Sequence, residues 1–404
     1  MTIIYCCGLD VHKDSIFACV AKSDSEFEQA KFGTLTPDIE ELKKWLNLHG
    51  VSKVAMESTS VYWVPVWHVL EKDFELMLVN PYAIKQMPGR KSDVKDAQWI
   101  ATLLRKNMLK GSYVPNAIVG ELRDYGRRYT ALCSQTTRLL IEIDHTLTLA
   151  NIRISSMAST LNSVTVMRVV ESIIKGEHAP EQLITLVHGR IVNRKGKKTV
   201  TASLTGTIKP QHIILLKLSY QMLQLVEQQQ QELIVLMEEL CNKYFPKETE
   251  LLQTVPGIQK LSAMQIIAET GGDMKPFPSA KHLVSWAGMR PRNDKTAEKI
   301  KSRAILKGNK HLRRILVQSS WANTRIKKNS QATLAEKYRQ LCKTKSRKKA
   351  LIAIARKQLV IVYHVLDKQQ PYCPYNKKPL KKTSAEKKIN YHLRQIEKLK
   401  AAVS

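Results

Sequence analysis

Hydrophobic positions in the first 115 residues fall in short runs that polar turns separate. Three β-rich runs, TIIYCCGLD, SIFACVA and FEQAKFG, lie within residues 2–35 and predict three strands arranged as a meander. A helix is predicted at about 37–49, with Pro37 in its first turn and apolar residues along one side. The segments SKVAMES, VYWVPVWHVLEK, FELMLVN and SDVKDAQWIATLLRK then predict a strand, a helix, a strand and a helix.

This order, βββαβαβα, is that of a ribonuclease-H-like domain, in which helices cover a mixed sheet. Residues 116–245 are mostly helical by pattern. Two sets of positions recur every seven residues and then lose their apolar character. A dimerising coiled-coil arm and an intramolecular helical hairpin explain this pattern about equally well. The two sets are Leu216, Leu223, Gln230 and Met237, and Leu218, Leu225 and Glu232.

A polar segment rich in Gly and Lys, at about 188–211, predicts a loop or an inserted lobe that touches nucleic acid. In residues 246–375, TVPGIQKLSAMQIIAETGG has the pattern of a helix-hairpin-helix, where the Gly257 turn lets backbone N–H groups approach a DNA phosphate. A Pro-Gly turn also begins many ordinary helical hairpins. Residues 376–404 predict a basic tail with a short terminal helix. The predicted fold class is α/β plus α.

Positive charge is concentrated in the C-terminal third. The formal net charge is +30, and residues 295–404 alone hold 30 Lys or Arg against 5 Asp or Glu. Such a surplus favours a nucleic-acid partner, because each phosphate contact releases condensed counterions. No run of about 20 apolar residues is present, so a membrane partner is disfavoured. The strongest block, from Ala287 to Arg314, has ten Lys or Arg and two hydroxyls, Thr296 and Ser302.

The N-terminus has no charged-then-apolar leader, which predicts a cytoplasmic protein. Seven cysteines without a C-x-x-C pair agree with a reducing compartment and indicate neither a zinc site nor a disulfide framework.

Four carboxylates occupy the ends of predicted strands or the start of a predicted helix. Asp10 ends the first strand and Glu57 the fourth, and these strands are neighbours in a ribonuclease-H-like sheet. Asp93 and Asp96 open the last helix of the domain, three residues apart and therefore on one face. Taken singly, Asp93 is better explained as an N-cap and Asp96 as a first-turn acid. The position of all four acids at strand ends or a helix start of one predicted fold favours a shared site.

Four converging carboxylates repel one another unless cations neutralise them. We therefore predict two Mg²⁺ ions, for which Mn²⁺ can substitute, held by Asp10, Glu57, Asp93 and Asp96 and aligning an attack at phosphorus. Cations beside these acids would guide a phosphodiester into the site. They are Arg90, Lys91 and Lys95.

The motifs GLDVHKDS, MESTSVYW, GRKSDVKDAQWIATLL and GSYVPNAIVGELRD resemble the N-terminal half of the DEDD transposases of the insertion-sequence 110 family, relatives of the Piv DNA invertase. TVPGIQKLSAMQIIAETGG, LVSWAGMRPRND and LKGNKHLRRILVQSSWANTR resemble their C-terminal transposase domain. The resemblance extends in order from about residue 4 to about residue 375.

The resemblance implies a mobile-element recombinase of prokaryotes that acts on double-stranded donor and target DNA at the nucleoid, guided by a structured bridge RNA from its own element. It implies a RuvC-like domain carrying the DEDD quartet, here Asp10, Glu57, Asp93 and Asp96. A hydroxyl of the C-terminal domain is expected to form a covalent link to DNA. The composite site is expected to need two protomers of a dimer or tetramer.

The same comparison predicts Thr296 as the nucleophile. The family has E-S-A-G-K where this chain has KTAEK, so threonine occupies the serine position. Threonine carries the same hydroxyl, but its β-methyl group crowds the approach. Ser302 is the second candidate. The remaining predicted nucleic-acid contacts are Gly257, Arg290, Arg292, Lys299, Lys307, Lys310, Arg313 and Arg314.

Two alternatives to an RNA-guided recombinase stay open. One is a metal-dependent nuclease of the Holliday-junction type, in which water attacks and no covalent intermediate forms. The other is a catalytically impaired copy that still binds RNA and DNA.

Several residues invite other interpretations that we do not favour. His12 is predicted to be a turn histidine with a local hydrogen bond rather than a general base. Trp63, Trp67 and Trp99 are predicted to belong to the core. The tyrosines that could imitate a tyrosine-recombinase nucleophile lack the Arg-His-Arg setting of that class. They are Tyr125, Tyr129 and Tyr338.

Overall fold

The structure is a computed structural model that describes residues 5–58, 60–85, 96–291, 294–296, 299–302, 304–305, 308–325, 333–373, 389–393 and 395–396. The chain divides into two units, Met1–Pro115 and Asn116–Ser404. Each unit is described by itself.

The N-terminal unit contains a five-stranded mixed sheet. Its strands are β1 (Tyr5–Val11), β2 (Ile16–Ala21), β3 (Phe27–Phe32), β4 (Val51–Glu57) and β5 (Glu75–Val79), in the spatial order β3-β2-β1-β4-β5. The first three pair antiparallel, whereas β4 is parallel to β1 and β5 is parallel to β4. The helices are α1 (Thr36–Leu48), α2 (Trp63–Leu70), α3 (Pro81–Lys85) and α4 (Asp96–Arg105).

The predicted order of elements is therefore confirmed, and the short helix α3 is an addition that the pattern did not predict. The predicted start of the last helix, including Asp93, lies outside the described residues, and α4 is described from Asp96 onward.

The two faces of this sheet bury different sets of side chains. On β1, Cys7, Leu9 and Val11 join a core that includes residues of α1 and α2. Cys6, of opposite parity, joins a second core with residues of α4. Because successive strand residues point to opposite faces, Gly8 and Asp10 share the α4 face with Cys6. Trp99 is buried in the α4 core and Trp63 and Trp67 pack against the other, which confirms their predicted core placement.

The second unit begins with a long helical hairpin. Helices α5 (Ala117–Leu149) and α10 (Pro210–Tyr244) pack along each other. Between them lie α6 (Val164–Ile174), α7 (Pro180–Leu183), α8 (Gly189–Lys195) and α9 (Lys197–Leu204). These helices share a core with the adjoining ends of α5 and α10. The polar segment predicted at about 188–211 is thus part of a helical lobe, and the alternative of a loop is wrong.

The heptad pattern of α10 has two different outcomes. Leu216, Leu223 and Met237 are buried, and Gln230 donates a hydrogen bond from Nε2 to Thr136 Oγ1 of α5 over 2.7 Å. This seam confirms the intramolecular hairpin. Within the described part of the chain the second seam stays exposed, since Leu218 is 56% and Leu225 is 48% exposed.

The rest of the unit is mainly helical. It contains α11 (Pro246–Gln253), α12 (Lys260–Thr270), α13 (Ala280–Trp286), α14 (Lys310–Thr324), α15 (Thr333–Cys342) and α16 (Arg347–Lys368). The strands β6 (Asp294–Thr296) and β7 (Lys299–Ser302) pair antiparallel between α13 and α14, and only their backbone is described. Residues 389–393 and 395–396 are helical, as predicted for the tail. No helix of the described residues is long and apolar enough to span a membrane.

Candidate active site and basic surface

The pairing of β1 with β4 places Asp10 beside Glu57. The last recorded pair of this parallel ladder joins Leu9 to Met56, and Asp10 and Glu57 are the next residue on each strand. Parallel strands end at the same edge of a sheet, so both carboxylates lie at one edge. The sequence prediction for these two residues is therefore confirmed in its geometry.

Strand parity also puts both acids on the face that α4 covers. Glu57 has the parity of Ala55, which belongs to the core that includes residues of α4, whereas Met56 belongs to the opposite core. Helix α4 begins with Asp96 and lies against β1, β2 and β4. Three carboxylates from three elements are therefore directed to the same side of the sheet.

Gly8 makes the close approach of α4 possible. A Cβ atom at this position would lie 2.3 Å from the carbonyl oxygen of Ala97 and 2.4 Å from the amide nitrogen of Ala101. Only glycine allows two backbones to come so close without displacement. The sequence analysis did not select Gly8, although a glycine inside a strand two residues before a candidate acid is a usable signal.

The electrostatics of Asp10 reflect the other two acids. Burial raises the pKa of the Asp10 carboxyl above its ordinary value, and the negative charges of Asp96 and Glu57 raise it further. His12 opposes this shift, since its Nε2 lies 3.1 Å from Asp10 Oδ2. This contact confirms the predicted local hydrogen bond of His12. Burial and the two neighbouring acids therefore destabilise the charge of Asp10.

Asp10 and Asp96 line one cleft of about 400 Å³. Phe17 pairs with Asp10 across β1 and β2, and Lys31 pairs with Phe17 across β2 and β3. Both side chains also line the cleft, where Lys31 Nζ lies 5.3 Å from the centroid of the Phe17 ring. The sequence pattern did not indicate this lysine, because its place in the cleft of Asp10 depends on the register of three strands.

The donor set at this edge suits a hard divalent cation, since Asp10, Glu57 and Asp96 supply carboxylate oxygens alone. Within the described part of the chain, no group of three or more His, Cys, Asp or Glu side chains is close enough to hold a metal ion. Asp93, the fourth predicted ligand, lies outside the described residues, as do Arg90, Lys91 and Lys95. The chemistry of the donors fits the predicted metal, and the metal site stays a prediction.

The backbones of the two candidate nucleophile residues lie at opposite ends of a β-ladder in the second unit. Thr296 pairs with Lys299 next to the hairpin turn, and Ser302 pairs with Asp294 at the far end of the ladder. The hairpin was not predicted, because two strands of three and four residues leave little periodic signal.

The predicted nucleic-acid contacts of the basic block are only partly described. Arg290, Lys310 and Arg314 are exposed, whereas Arg313 is half-buried and its Nη1 lies 3.5 Å from the carbonyl oxygen of Gly288. The backbone of Lys299 lies in β7. Arg292 and Lys307 lie outside the described residues.

Helix α14 begins in the basic block, as predicted. The side chain of Asn309 accepts hydrogen bonds from the backbone N–H groups of His311 and Leu312, both at 3.0 Å. Three predicted cations, Lys310, Arg313 and Arg314, therefore follow directly after a capped helix start.

Gly257 has a packing role in addition to its predicted contact with DNA. Its φ is +82°, and a Cβ there would lie 2.4 Å from the carbonyl oxygen of Ser319 on α14. The neighbouring Pro256 carbonyl accepts hydrogen bonds from Asn323 Nδ2 and Gln358 Nε2, at 2.7 and 2.9 Å. The turn between α11 and α12 is thus packed against α14 and α16. Its contact with DNA stays a prediction.

Glu269 forms a second centre of charge, which the sequence analysis missed. Arg127 Nε and Nη2 donate to its two carboxylate oxygens over 2.9 and 3.0 Å, and Asn309 Nδ2 donates over 2.6 Å. Arg123 donates to the backbone carbonyls of Ala268 and Glu269. Burial by itself would raise the pKa of Glu269, but Arg127, Asn309 and Arg123 outweigh burial and hold it below the ordinary value. Glu269 therefore joins α5, α12 and the start of α14.

Comparison with known families agrees with the two halves of this architecture. A family model described as "Transposase", for DEDD transposases of the IS110 type, matches residues 7–152. A second, described as "Transposase IS116/IS110/IS902 family", matches residues 249–335. The two matches together cover more than half of the chain. The chain belongs to the IS110 transposase family.

Individual relatives match about a third of the chain. The "Pilin gene-inverting protein" of Moraxella bovis is 31% identical over 134 residues, which are 33% of this chain and 41% of that protein. The "Transposase for insertion sequence element IS1111A" of Coxiella burnetii is 27% identical over 127 residues, 31% of this chain and 35% of that protein. The chain thus matches less than half of the length of these relatives.

Proposed function

We propose that this protein is a DNA transposase that cuts and rejoins DNA strands, with its acidic residues at the edge of the N-terminal sheet as the phosphoryl-transfer site. The observation that carries the proposal is the placement of Asp10, Glu57 and Asp96 at one edge and on one face of the sheet. β1, β4 and α4 are separate in sequence, and each places one carboxylate at this edge of the sheet. Acids that repel one another disfavour their own ionisation, and such clusters are characteristic of functional sites.

Asp10, Glu57, Asp96 and the fourth acid Asp93 would hold divalent metal, with Mg²⁺ as the fitting ion and Mn²⁺ as a substitute. Bound there, the metal would polarise a scissile phosphate and stabilise the leaving oxygen. His12 restrains Asp10 through its hydrogen bond. Lys31 supplies the positive charge of the cleft and is suited to bind a non-bridging phosphate oxygen of the DNA.

We further propose that Thr296 supplies the attacking hydroxyl and becomes linked to DNA through a phosphodiester. Its place in a β-ladder supports this role, because the paired strand carries Lys299 and the basic helix α14 follows in the sequence, and such cations can hold the DNA backbone. The hydroxyl loses its proton and bonds to phosphorus, and the 3′ or 5′ oxygen of the cut strand leaves with a proton. Rejoining reverses these steps, so no external energy source is consumed.

Covalent trapping tests this assignment. The full-length protein is incubated with a plasmid that carries the reading frame and its flanking non-coding DNA, in Mg²⁺ and with RNA transcribed from that DNA. The reaction is stopped with denaturant, and protein-linked DNA is separated. We expect adducts with the wild type and Thr296→Ser, none with Thr296→Ala, and adducts with the matched control Ser302→Ala. Loss of the adduct in Ser302→Ala alone would move the role to Ser302.

The same experiment separates the alternative functions. Nicked DNA without any adduct in the wild type indicates the hydrolytic nuclease. No product of either kind, with retained binding of DNA and RNA, indicates a catalytically impaired copy.

A guide RNA and self-association complete the proposal. Co-purification of RNA from the flanking DNA, lost when that DNA is removed from the expression plasmid, tests the guide. For self-association, the support is the exposed second seam of α10, where Leu215, Leu218, Met222 and Leu225 follow at intervals of 3, 4 and 3. Light scattering should give a smaller particle for Leu218→Glu/Leu225→Glu, whereas the exposed Leu48→Glu should leave the mass unchanged.

A further inference from the structure

Helix α14 carries an exposed stripe with a tryptophan at its centre. Arg314, Gln318, Trp321 and Arg325 follow one another at intervals of 4, 3 and 4 residues, and all four side chains are exposed. Such spacing puts them along one face of the helix. The opposite face holds the buried residues, among them Leu312, Ile315 and Leu316. Trp321 remains 44% exposed, so the core does not account for it.

The indole ring of Trp321 is restrained but not covered. Tyr338 of α15 packs against it edge to face, with ring centroids 6.4 Å apart and an interplanar angle of 60°. Tyr338 is half-buried; burial raises the pKa of its hydroxyl, as does its hydrogen bond with Cys342, while the charge of Arg347 acts in the opposite direction. Arg347 begins α16, and α16 contacts α15, the helix that carries Tyr338.

Arg347 belongs to a run of exposed cations, the basic turn, defined as residues 343–349. Its sequence is KTKSRKK, every residue of it is exposed, and it contains no acid. Among the described residues, no ion pair involves its five cations. Three of them, Arg347, Lys348 and Lys349, occupy the first turn of α16, where the helix dipole disfavours positive charge. The basic turn is therefore electrostatically suited to an anionic partner from outside the unit.

We propose that Trp321 and the basic turn form a binding site for a single-stranded nucleic-acid segment, in which an unpaired base stacks on Trp321 and the adjacent phosphates bind the surrounding cations. The cations flanking the indole are Arg314 and Arg325 on α14 and the basic turn beside Tyr338.

The chemistry selects an unpaired segment over a duplex. In a duplex the faces of the bases are covered by their neighbours, whereas an unpaired base offers a free face to an aromatic ring. The convex surface of α14 presents one indole between arginines, which is a stacking platform with phosphate contacts on both sides. The site lies outside the acidic edge and the Thr296 hairpin, and it rests on the proposed function only in that the chain handles nucleic acid.

Binding measurements with matched oligonucleotides test the proposal. Fluorescence anisotropy is recorded for one sequence as single-stranded RNA, single-stranded DNA and DNA duplex, with full-length wild type, Trp321→Ala, Trp321→Phe and Tyr244→Ala. Tyr244 is the matched control, because it is a 41% exposed aromatic of the same unit beside Lys243, whose Nζ lies 5.0 Å from its ring centroid.

We expect Trp321→Ala to weaken single-strand binding by about 5- to 100-fold and duplex binding by less than about twofold. Trp321→Phe, which keeps a ring, and Tyr244→Ala should stay close to the wild type. Replacement of Lys345, Lys348 and Lys349 by Ala should lower the slope of log affinity against log salt by about 0.7 for each lost phosphate contact. Circular dichroism verifies that each variant is folded. The tighter of RNA and DNA identifies the natural source of the strand.

Unchanged single-strand binding in Trp321→Ala overturns the proposal, as does an equal loss in Trp321→Phe. A change of particle mass in Trp321→Ala, with single-strand binding intact, assigns the indole to a contact between copies and also overturns it. A wild type that binds duplex but no single strand refutes this site and leaves the proposed function standing. A wild type that binds no nucleic acid refutes both.

Discussion

Two carboxylate centres of this chain have opposite electrostatic settings. Asp10 is 17% exposed and faces two further acids, so its pKa is raised. Glu269 is 3% exposed and accepts hydrogen bonds from Arg127 and Asn309, so its pKa is lowered. Glu269 is the more deeply buried of the two and the better stabilised, because Arg127 and Asn309 of the same unit donate hydrogen bonds to its carboxylate. Glu269 joins elements of one unit, whereas the described neighbours of Asp10 include two further acids, which supports the proposed cation-binding edge.

Among the substitutions considered, Asp10→Asn should have the largest effect on DNA cleavage. The substitution keeps size and hydrogen bonding but removes one oxygen charge from the acidic edge. We expect DNA strand cleavage to fall by about 1000-fold or more, since metal-held charge stabilisation contributes several kcal/mol to such reactions. Thermal unfolding should be unchanged or shifted upward, because a half-buried charge that faces two acids is gone. A parallel loss of activity and stability would make Asp10 a structural residue.

Glu269→Ala should show the reverse behaviour. Its removal leaves Arg127 and Arg123 without their acid and Asn309 without an acceptor, and we expect unfolding free energy to fall by about 3–5 kcal/mol. Chemical denaturation measures this loss. The control is Glu28→Gln, which removes surface pairs with Lys22 and His49 and should leave stability nearly unchanged. A loss at Glu269 as small as that at Glu28 would contradict a joining role.

Gly8→Ala tests whether the position of α4 creates the acidic edge. The added Cβ meets the backbone of Ala97 and Ala101, which cannot move without the helix, so we expect a loss of about 1–3 kcal/mol in unfolding free energy. DNA cleavage should fall as well, because Asp96 moves with α4. The matched control is Gly120→Ala on α5, where a Cβ meets nothing within 4 Å and helix propensity favours alanine. Equal effects of the two substitutions would contradict the role of Gly8 in positioning α4.

The smallest effect expected is the pH dependence that Glu269 contributes. Because its pKa is lower in the folded protein, its stabilisation is complete above its unfolded value of about 4.3 and is lost as pH falls through the folded pKa. The difference in unfolding free energy between wild type and Glu269→Gln should therefore shrink as the pH is lowered below about 4.3. Denaturation curves across this range measure it. A difference that grows on acidification would contradict the lowered pKa.

The alternation of apolar and polar residues was sufficient to predict the strands and helices of the N-terminal unit and two of its acids. Asp10 and Glu57 were found because strand ends are visible in sequence and neighbouring parallel strands end at one edge. Lys31 and Phe17 were not, because their approach to Asp10 depends on the register of β1, β2 and β3. Register is a pairing between distant segments and leaves no mark in either segment alone.

In the long helical hairpin, too, the sequence pattern did not show which residues pack against each other. Two apolar repeats were visible on α10, and the pattern could not say which one packs within the chain. Contact with α5 buries Leu216 and Leu223 and leaves Leu218 and Leu225 exposed. Both sets are leucines at the same spacing, so only the tertiary structure separates an internal seam from a surface.

By itself, the sequence determined the order of elements, the basic character of the C-terminal third and the motifs of the family, because these depend on local pattern and composition. Only the tertiary structure decided that Gly8 admits α4, that Glu269 joins three helices through arginines 142 and 146 residues away, and that Trp321 stays exposed beside Tyr338. Each of these depends on which distant groups share a neighbourhood. Burial and charge pairing are properties of that neighbourhood, and a linear pattern does not contain them.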